Sequence, residues 1–199
     1  MSMIAMGPLV LAMGWSLLPN AQATTWEPNE YSEVEGASGV LFVSGALTES
    51  ACRLDMDSAY QSVHLGTVGT GELLSPGSRG QPVGVKLKLR DCLRMSGQSL
   101  DERGGNLTWS TSQPAVSVSF MAPADQNNTQ LVQVEGAKGL GLRLLDAQQH
   151  DVRLGSRGAP LLLNPGQSTL TYTVMPERTS APLQPDAYHA TVNFRMNYD

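Results

Sequence analysis

The stretch Tyr188-His189-Ala190-Thr191-Val192-Asn193-Phe194-Arg195-Met196-Asn197-Tyr198, closed by Asp199, alternates without a break. Tyr188, Ala190, Val192, Phe194, Met196 and Tyr198 fall on one side of an extended chain, and His189, Thr191, Asn193, Arg195 and Asn197 on the other. That is the period-2 signature of a half-buried β-strand. A one-sided apolar stripe of this length needs a neighbour to cover it, so the last residues read as part of a packed sheet.

Working back from that strand, nearly every segment repeats the pattern. Residues 82–89 put Val83, Val85, Leu87 and Leu89 on one face, with Lys86, Lys88 and Arg90 on the other. Val116, Val118 and Phe120 alternate with Ser117 and Ser119, and Leu170, Tyr172 and Val174 alternate with Thr169, Thr171 and Thr173. Shorter strands are predicted at 39–47, 62–68, 131–134, 140–145 and 152–154. Ser75-Pro76-Gly77, Arg103-Gly104-Gly105, the 125–128 segment and Asn164-Pro165-Gly166 supply the turn residues that reverse the chain between them. No segment carries sustained helical periodicity. Many short strands at intervals of roughly ten residues predict an all-β, immunoglobulin-like sandwich.

The chain has 199 residues, a length that favours one domain. Residues 3–18 form an apolar run broken by Gly7, Pro8 and Gly14, followed by Pro19 and the small-x-small step Ala21-Gln22-Ala23. Residues 1–23 therefore read as a secretory signal, although no Lys or Arg precedes Arg53 to form the usual basic start. A membrane anchor is the rival reading, but a run of this length with a proline inside falls short of the ~20 residues that span a bilayer. In a secreted chain, Cys52 and Cys92, its only cysteines, read as one disulfide. Net charge is −5 with no basic cluster, which argues against a nucleic-acid surface.

Candidate chemistry does not assemble. His64, His150 and His189 are scattered without metal-ligand spacing, and neither they nor the cysteines suggest a metal site. Gly69-Thr70-Gly71 and Gly139-Leu140-Gly141 lack the helix that a phosphate cradle needs. Asp101 and Glu102 are adjacent in a polar loop, so their side chains point apart. Asn106-Leu107-Thr108 and Asn127-Asn128-Thr129 match the glycosylation acceptor pattern, a pattern too short to carry weight. The reading is of a non-enzymatic protein without cofactor.

Between the signal and the first strand lies an acidic arm with Glu27, Glu30, Glu33 and Glu35. It continues into residues 34–43, where Ala37, Gly39, Leu41 and Val43 share one parity and Val34, Gly36, Val40 and Phe42 the other. Either face suits insertion into a sheet, and Gly39 or Gly36 looks like a notch where another backbone approaches. A plain first strand behind a disordered tail is the simpler alternative.

In order along the chain stand Gly45-Ala46-Leu47, Ser50-Ala51-Cys52, Val63-His64-Leu65-Gly66, Leu89-Arg90-Asp91-Cys92, the 116–120 strand, the paired segments 140–146 and 152–155, and the ending 190–198 with a penultimate tyrosine. This series resembles the pilin subunits of chaperone-usher, type 1-like bacterial fimbriae. The resemblance covers about residues 38–199. It departs at Pro185-Asp186-Ala187, where the family commonly has a glycine, and in the length of the acidic arm.

The resemblance implies an immunoglobulin-like sandwich lacking its seventh strand, with a signal at 1–23, a donor extension at 24–43 and a pilin domain at 44–199. It implies that a periplasmic chaperone lends a strand first, against Ala190, Val192, Phe194, Met196, Tyr198 and the carboxylate of Asp199. At an outer-membrane usher the arm of the next subunit, carrying Ala37, Gly39, Leu41 and Val43, then replaces the lent strand. The result is a head-to-tail polymer on the bacterial surface that serves adhesion, with a host receptor as a further partner. Alternatives are a minor or tip adaptor that binds a ligand, a self-complemented monomer whose arm fills its own groove, and a periplasmic hydrolase or binding protein on the same sandwich.

Overall fold

The computed structural model describes residues 40–44 and 50–199. The chain divides into two units, residues 1–45 and 46–199. In the first, residues 40–44 carry no regular secondary structure, and Val40, Leu41, Phe42 and Val43 are exposed. The signal expected at 1–23, the acidic arm, Ala37, Gly39 and the Gly45-Ala46-Leu47 step lie outside the described residues.

The regular secondary structure of the second unit consists almost wholly of antiparallel strands. They run β1 (Arg53–Leu54), β2 (Val83–Cys92), β3 (Gly97–Leu100), β4 (Leu107–Ser110), β5 (Ala115–Met121), β6 (Val132–Gln133), β7 (Leu140–Leu145), β8 (Leu161–Leu162), β9 (Gly166–Arg178) and β10 (Asn193–Tyr198). One sheet has the order β1-β2-β9-β7-β6 and a second the order β10-β5-β8, while β3 and β4 form a separate hairpin. A single helical turn, α1 (Met56–Ala59), begins at Asp55, whose carboxylate accepts from the Asp57 amide at 3.3 Å.

The core is the meeting of two alternating faces. Register pairs Leu87 with Leu170, Val85 with Tyr172 and Val83 with Val174, so β2 and β9 present one apolar surface. The other sheet answers with Val116, Val118 and Phe120 of β5. Phe120 meets the Tyr172 ring edge-on, with centroids 4.7 Å apart.

One irregularity in β2 decides the cross-link. Strict alternation after Leu87 and Leu89 would turn Asp91 inward and Cys92 outward. Instead the register shifts between Arg90 and Cys92, with Asp91 at φ 54, a bulge that an aspartate tolerates. The shift leaves Asp91 exposed and buries Cys92, which is bonded to Cys52 across a sequence separation of 40.

On the outer face of the larger sheet, Arg143 of β7 and Glu177 of β9 are both buried. Arg143 donates Nη2 to Glu177 Oε1 at 2.6 Å, Nε to Oε2, and Nη1 to Asp151 Oδ1 at 2.5 Å, while Arg79 Nε reaches Glu177 Oε2 at 2.8 Å. Burial would raise the Glu177 carboxyl, but the hydrogen bonds from Arg143 and Arg79 outweigh it and hold it below its ordinary range.

Four sequence expectations need correction: of the strand predicted at 39–47, the described residues 40–44 carry no regular secondary structure. Residues 62–68 form no strand, because no backbone partner lies beside them among the described residues. Residues 152–154 are not a strand either: after the Asp151–Leu145 bridge and the Val152 amide bond to Leu144, the chain enters a turn at Leu154. The final strand is regular only from Asn193, since residues 184–189 cross to the edge of the other sheet, where Lys138 bridges Gln184 and Glu135 bridges His189. The β3–β4 hairpin was not anticipated; its outward Leu100, Leu107 and Trp109 blur the alternation.

Candidate functional site

An elongated groove of about 1090 Å³ opens between the two sheets. Its floor is apolar, set by Val85 and Leu87 of β2, Phe120 of β5, Leu142 and Leu144 of β7, and Tyr172 and Val174 of β9. These residues converge because β2, β7 and β9 are register neighbours that turn the same parity inward.

The two walls share an unusual property. One is residues 61–68, including Val63, Leu65 and Val68, in no regular secondary structure and without a backbone–backbone hydrogen bond among the described residues. The other is the run from Tyr188 to Phe194, leading into β10, which is the edge strand of its sheet. On this wall Ala190, Val192 and Phe194 turn toward the core, each half-buried, and Thr191 and Asn193 turn away. A segment with no backbone partner among the described residues and the open side of a run entering an edge strand thus flank an apolar floor. An open edge of this type offers N–H and C=O groups to an incoming strand, and the floor offers alternate side-chain pockets.

Titratable groups on the rim do not converge on a reacting centre. His64, Asp186 and His189 line the groove, and His189 pairs instead with Glu135 at 3.3 Å on the surface. Burial raises the phenols of Tyr172 and Tyr188, and the Tyr188 hydroxyl is buried without a partner among the described residues. No group of three or more His, Cys, Asp or Glu able to hold a metal occurs among the described residues.

The residues singled out from the sequence do not all meet at the groove. Ala190, Val192 and Phe194 line the groove together with Tyr188. Met196 and Tyr198 share their face but lie beyond the lining, at the end where Tyr198 Oη approaches the Cys52 carbonyl at 3.5 Å. The side chain of Asp199 is engaged within the domain: its Oδ2 accepts from Ser99 Oγ at 2.8 Å and its Oδ1 from Arg157 Nη1 at 3.2 Å, and the Asp199 amide donates to the Ala115 carbonyl at 3.3 Å. Leu41 and Val43 belong to the exposed segment of the first unit. Sequence reading missed the 61–68 wall as part of the site, because alternation around Val63 and Leu65 signals an extended chain but not whether it has a partner.

Comparison with known proteins places this geometry. The family model described as "Fimbrial protein" matches residues 41–199. The "Probable major fimbrial subunit LpfA" of Escherichia coli O157:H7 is 26% identical over 169 residues, covering 83% of this chain and 86% of that protein. The "Fimbria A protein" of Serratia marcescens is 25% identical over 192 residues, covering 95% and 94%. Among solved structures, the P pilus rod subunit PapA superposes with a TM-score of 0.61 at 24% identity, covering 75% of this chain and all of that one. A subunit from the structure of a chaperone-usher pilus gives the same TM-score at 21% identity, covering 84% and 99%. The chain therefore belongs to the fimbrial protein family and is a structural, non-enzymatic pilus subunit.

Proposed function

We propose that the groove accepts an extended strand from another polypeptide, and that the subunit polymerises head to tail by passing its own N-terminal segment into the groove of a neighbour. The observation that carries this reading is that residues 61–68, without a backbone partner among the described residues, face the open side of the run entering the edge strand β10 over an apolar floor. Burying about five apolar side chains at ~1.5 to 3 kcal/mol each would contribute on the order of 10 kcal/mol, comparable with the net stability of a whole domain. Such a contact is heterologous and does not close on itself, so it builds filaments.

On this reading, residues 24–43 are the donor extension, with Ala37, Gly39, Leu41 and Val43 entering the groove. Before assembly a periplasmic chaperone lends the strand, an outer-membrane usher hosts the exchange, and the finished fimbrium stands on the cell surface and supports adhesion.

The test is to compare the full chain with one lacking residues 24–43, adding a synthetic peptide of residues 32–43 to the shortened form and following size and thermal unfolding. The reading requires a shortened chain of low stability whose melting temperature rises sharply with the peptide. A stable monomer indifferent to the peptide would show a sandwich already complete.

A further inference from the structure

The 185–189 wall of the groove is held from behind by one turn. Between β6 and β7, the Glu135 amide donates to the His189 carbonyl at 2.9 Å and the His189 amide to the Glu135 carbonyl at 3.1 Å. Lys138 and Gln184 exchange a second such pair, at 3.1 and 2.9 Å. Between the two anchor points the turn contributes only Gly136 and Ala137, whereas the wall contributes Pro185, Asp186, Ala187 and Tyr188, so the wall must bow.

Both glycines of the turn are required twice over. Gly136 has φ 101, and a Cβ there would stand 1.9 Å from the Ala187 carbonyl oxygen. Gly139 has φ 74, and a Cβ there would meet the carbonyl oxygens of Pro182 and Ala181 at 2.7 and 2.8 Å. Each obstacle is backbone, so no rotamer change relieves it, and the positive φ would strain any larger residue as well.

We infer that Gly136 and Gly139 are positioning residues of the strand-accepting groove: Gly136 lets the turn approach the Ala187–Tyr188 wall against which the inserted strand must lie, and Gly139 lets it approach the 181–183 segment that leads the chain into that wall. They act through that wall and do not touch the inserted strand. The inference rests on the strand-accepting reading of the groove.

The experiment measures uptake of a labelled peptide of residues 32–43 by the full chain and by its Gly136→Ala and Gly139→Ala variants, with Gly84→Ala, where a Cβ meets nothing within 4 Å, as control. Thermal unfolding is recorded for each. The inference requires that the turn variants remain folded with peptide affinity reduced at least about 10-fold, while the control binds as the parent does. Folded turn variants with parental affinity would overturn it. If neither the parent nor the chain lacking residues 24–43, which has no arm to fill a groove, takes up peptide, the groove reading is overturned and the positioning role with it; if only the shortened chain does, the variants are compared in that form. If the turn variants do not fold, amide exchange of Glu135, Lys138, Gln184 and His189 in the parent decides alone. Exchange must slow about 10-fold or more when peptide binds, and unchanged exchange at these four amides would refute the inference.

Discussion

Phe194 stands opposite Phe120 in the β10–β5 register, with the two rings 6.3 Å apart and their planes tilted by 45°. Phe120 in turn meets Tyr172 across the sandwich at 4.7 Å. The three rings form a chain from the groove wall through the floor to the opposite sheet, so the edge strand is tied to the core through its aromatic partner.

That chain predicts unequal costs along its length. Phe120 is buried, and Phe120→Ala should destabilise the full chain by about 3 to 5 kcal/mol through transfer and cavity terms. Phe194 is half-buried, so Phe194→Ala should cost less than half as much in the same urea titration. With the groove filled by a donor peptide, the Phe194→Ala cost should rise, because its remaining exposed face is then lost to solvent. Equal costs for Phe194→Ala with and without peptide would place the inserted strand away from this ring.

Acid should dissolve the Arg143–Glu177 clamp in a defined direction. A carboxyl depressed in the folded state binds fewer protons there than in the unfolded chain, so its contribution is complete above the unfolded value near 4.5. It is lost as pH falls through the lower folded value. Glu177→Gln should therefore be less stable than the parent at pH 7, by about 3 kcal/mol for a broken buried pair. The two stability curves should converge as pH falls below about 4.5, and a gap that persists undiminished at the acid end would show that the charge of Glu177 is not its source.

Reduction should weaken the domain strongly. A cross-link closing a loop of 40 residues contributes about 4 kcal/mol in the chain-entropy model. The Cys52→Ser, Cys92→Ser pair should lower the urea midpoint accordingly. Because the Asp91 bulge is what aims Cys92 inward, Asp91→Val should slow oxidation during refolding, a β-branched residue being poorly suited to φ 54. Parental oxidation kinetics in that variant would show that the bulge forms regardless of the residue placed there.

The two long strands β2 and β9 were legible from alternation alone. Val83 to Leu89 and Leu170 to Val174 pair with each other and bury one face, which wrote a period of two into each, whereas Leu140 to Leu145 is buried on both faces and reads only as a short apolar run. The 62–68 segment misled because Val63 and Leu65 carry strand composition while no described residue hydrogen-bonds to its backbone. The crossing of residues 184–189 was hidden as well. Its apolar parity, Tyr188, Ala190 and Val192, continues smoothly into β10, and only Gly136 and Gly139, distant in sequence, mark where the chain changes sheets. The Asp91 bulge was equally silent, since a one-residue shift leaves composition untouched and is visible only in the partner register.

The two parities of the exposed apolar segment make the donor register testable. Leu41 and Val43 project to one side of an extended chain, and Val40 and Phe42 to the other. If Ala37, Gly39, Leu41 and Val43 face the groove, peptides of residues 32–43 carrying Leu41→Arg or Val43→Arg should lose affinity for the shortened chain by about 10- to 100-fold. That is the cost of forfeiting ~1.5 to 3 kcal/mol of apolar burial, before any charge penalty is added. Val40→Arg and Phe42→Arg peptides should bind nearly as the parent peptide does, since their side chains would point to solvent. The opposite ranking would assign the inserted face to Val40 and Phe42 and move the glycine notch from Gly39 to Gly36, which shares their parity. Equal losses from all four would mean that both faces are covered, and that a second polypeptide surface packs over the inserted strand.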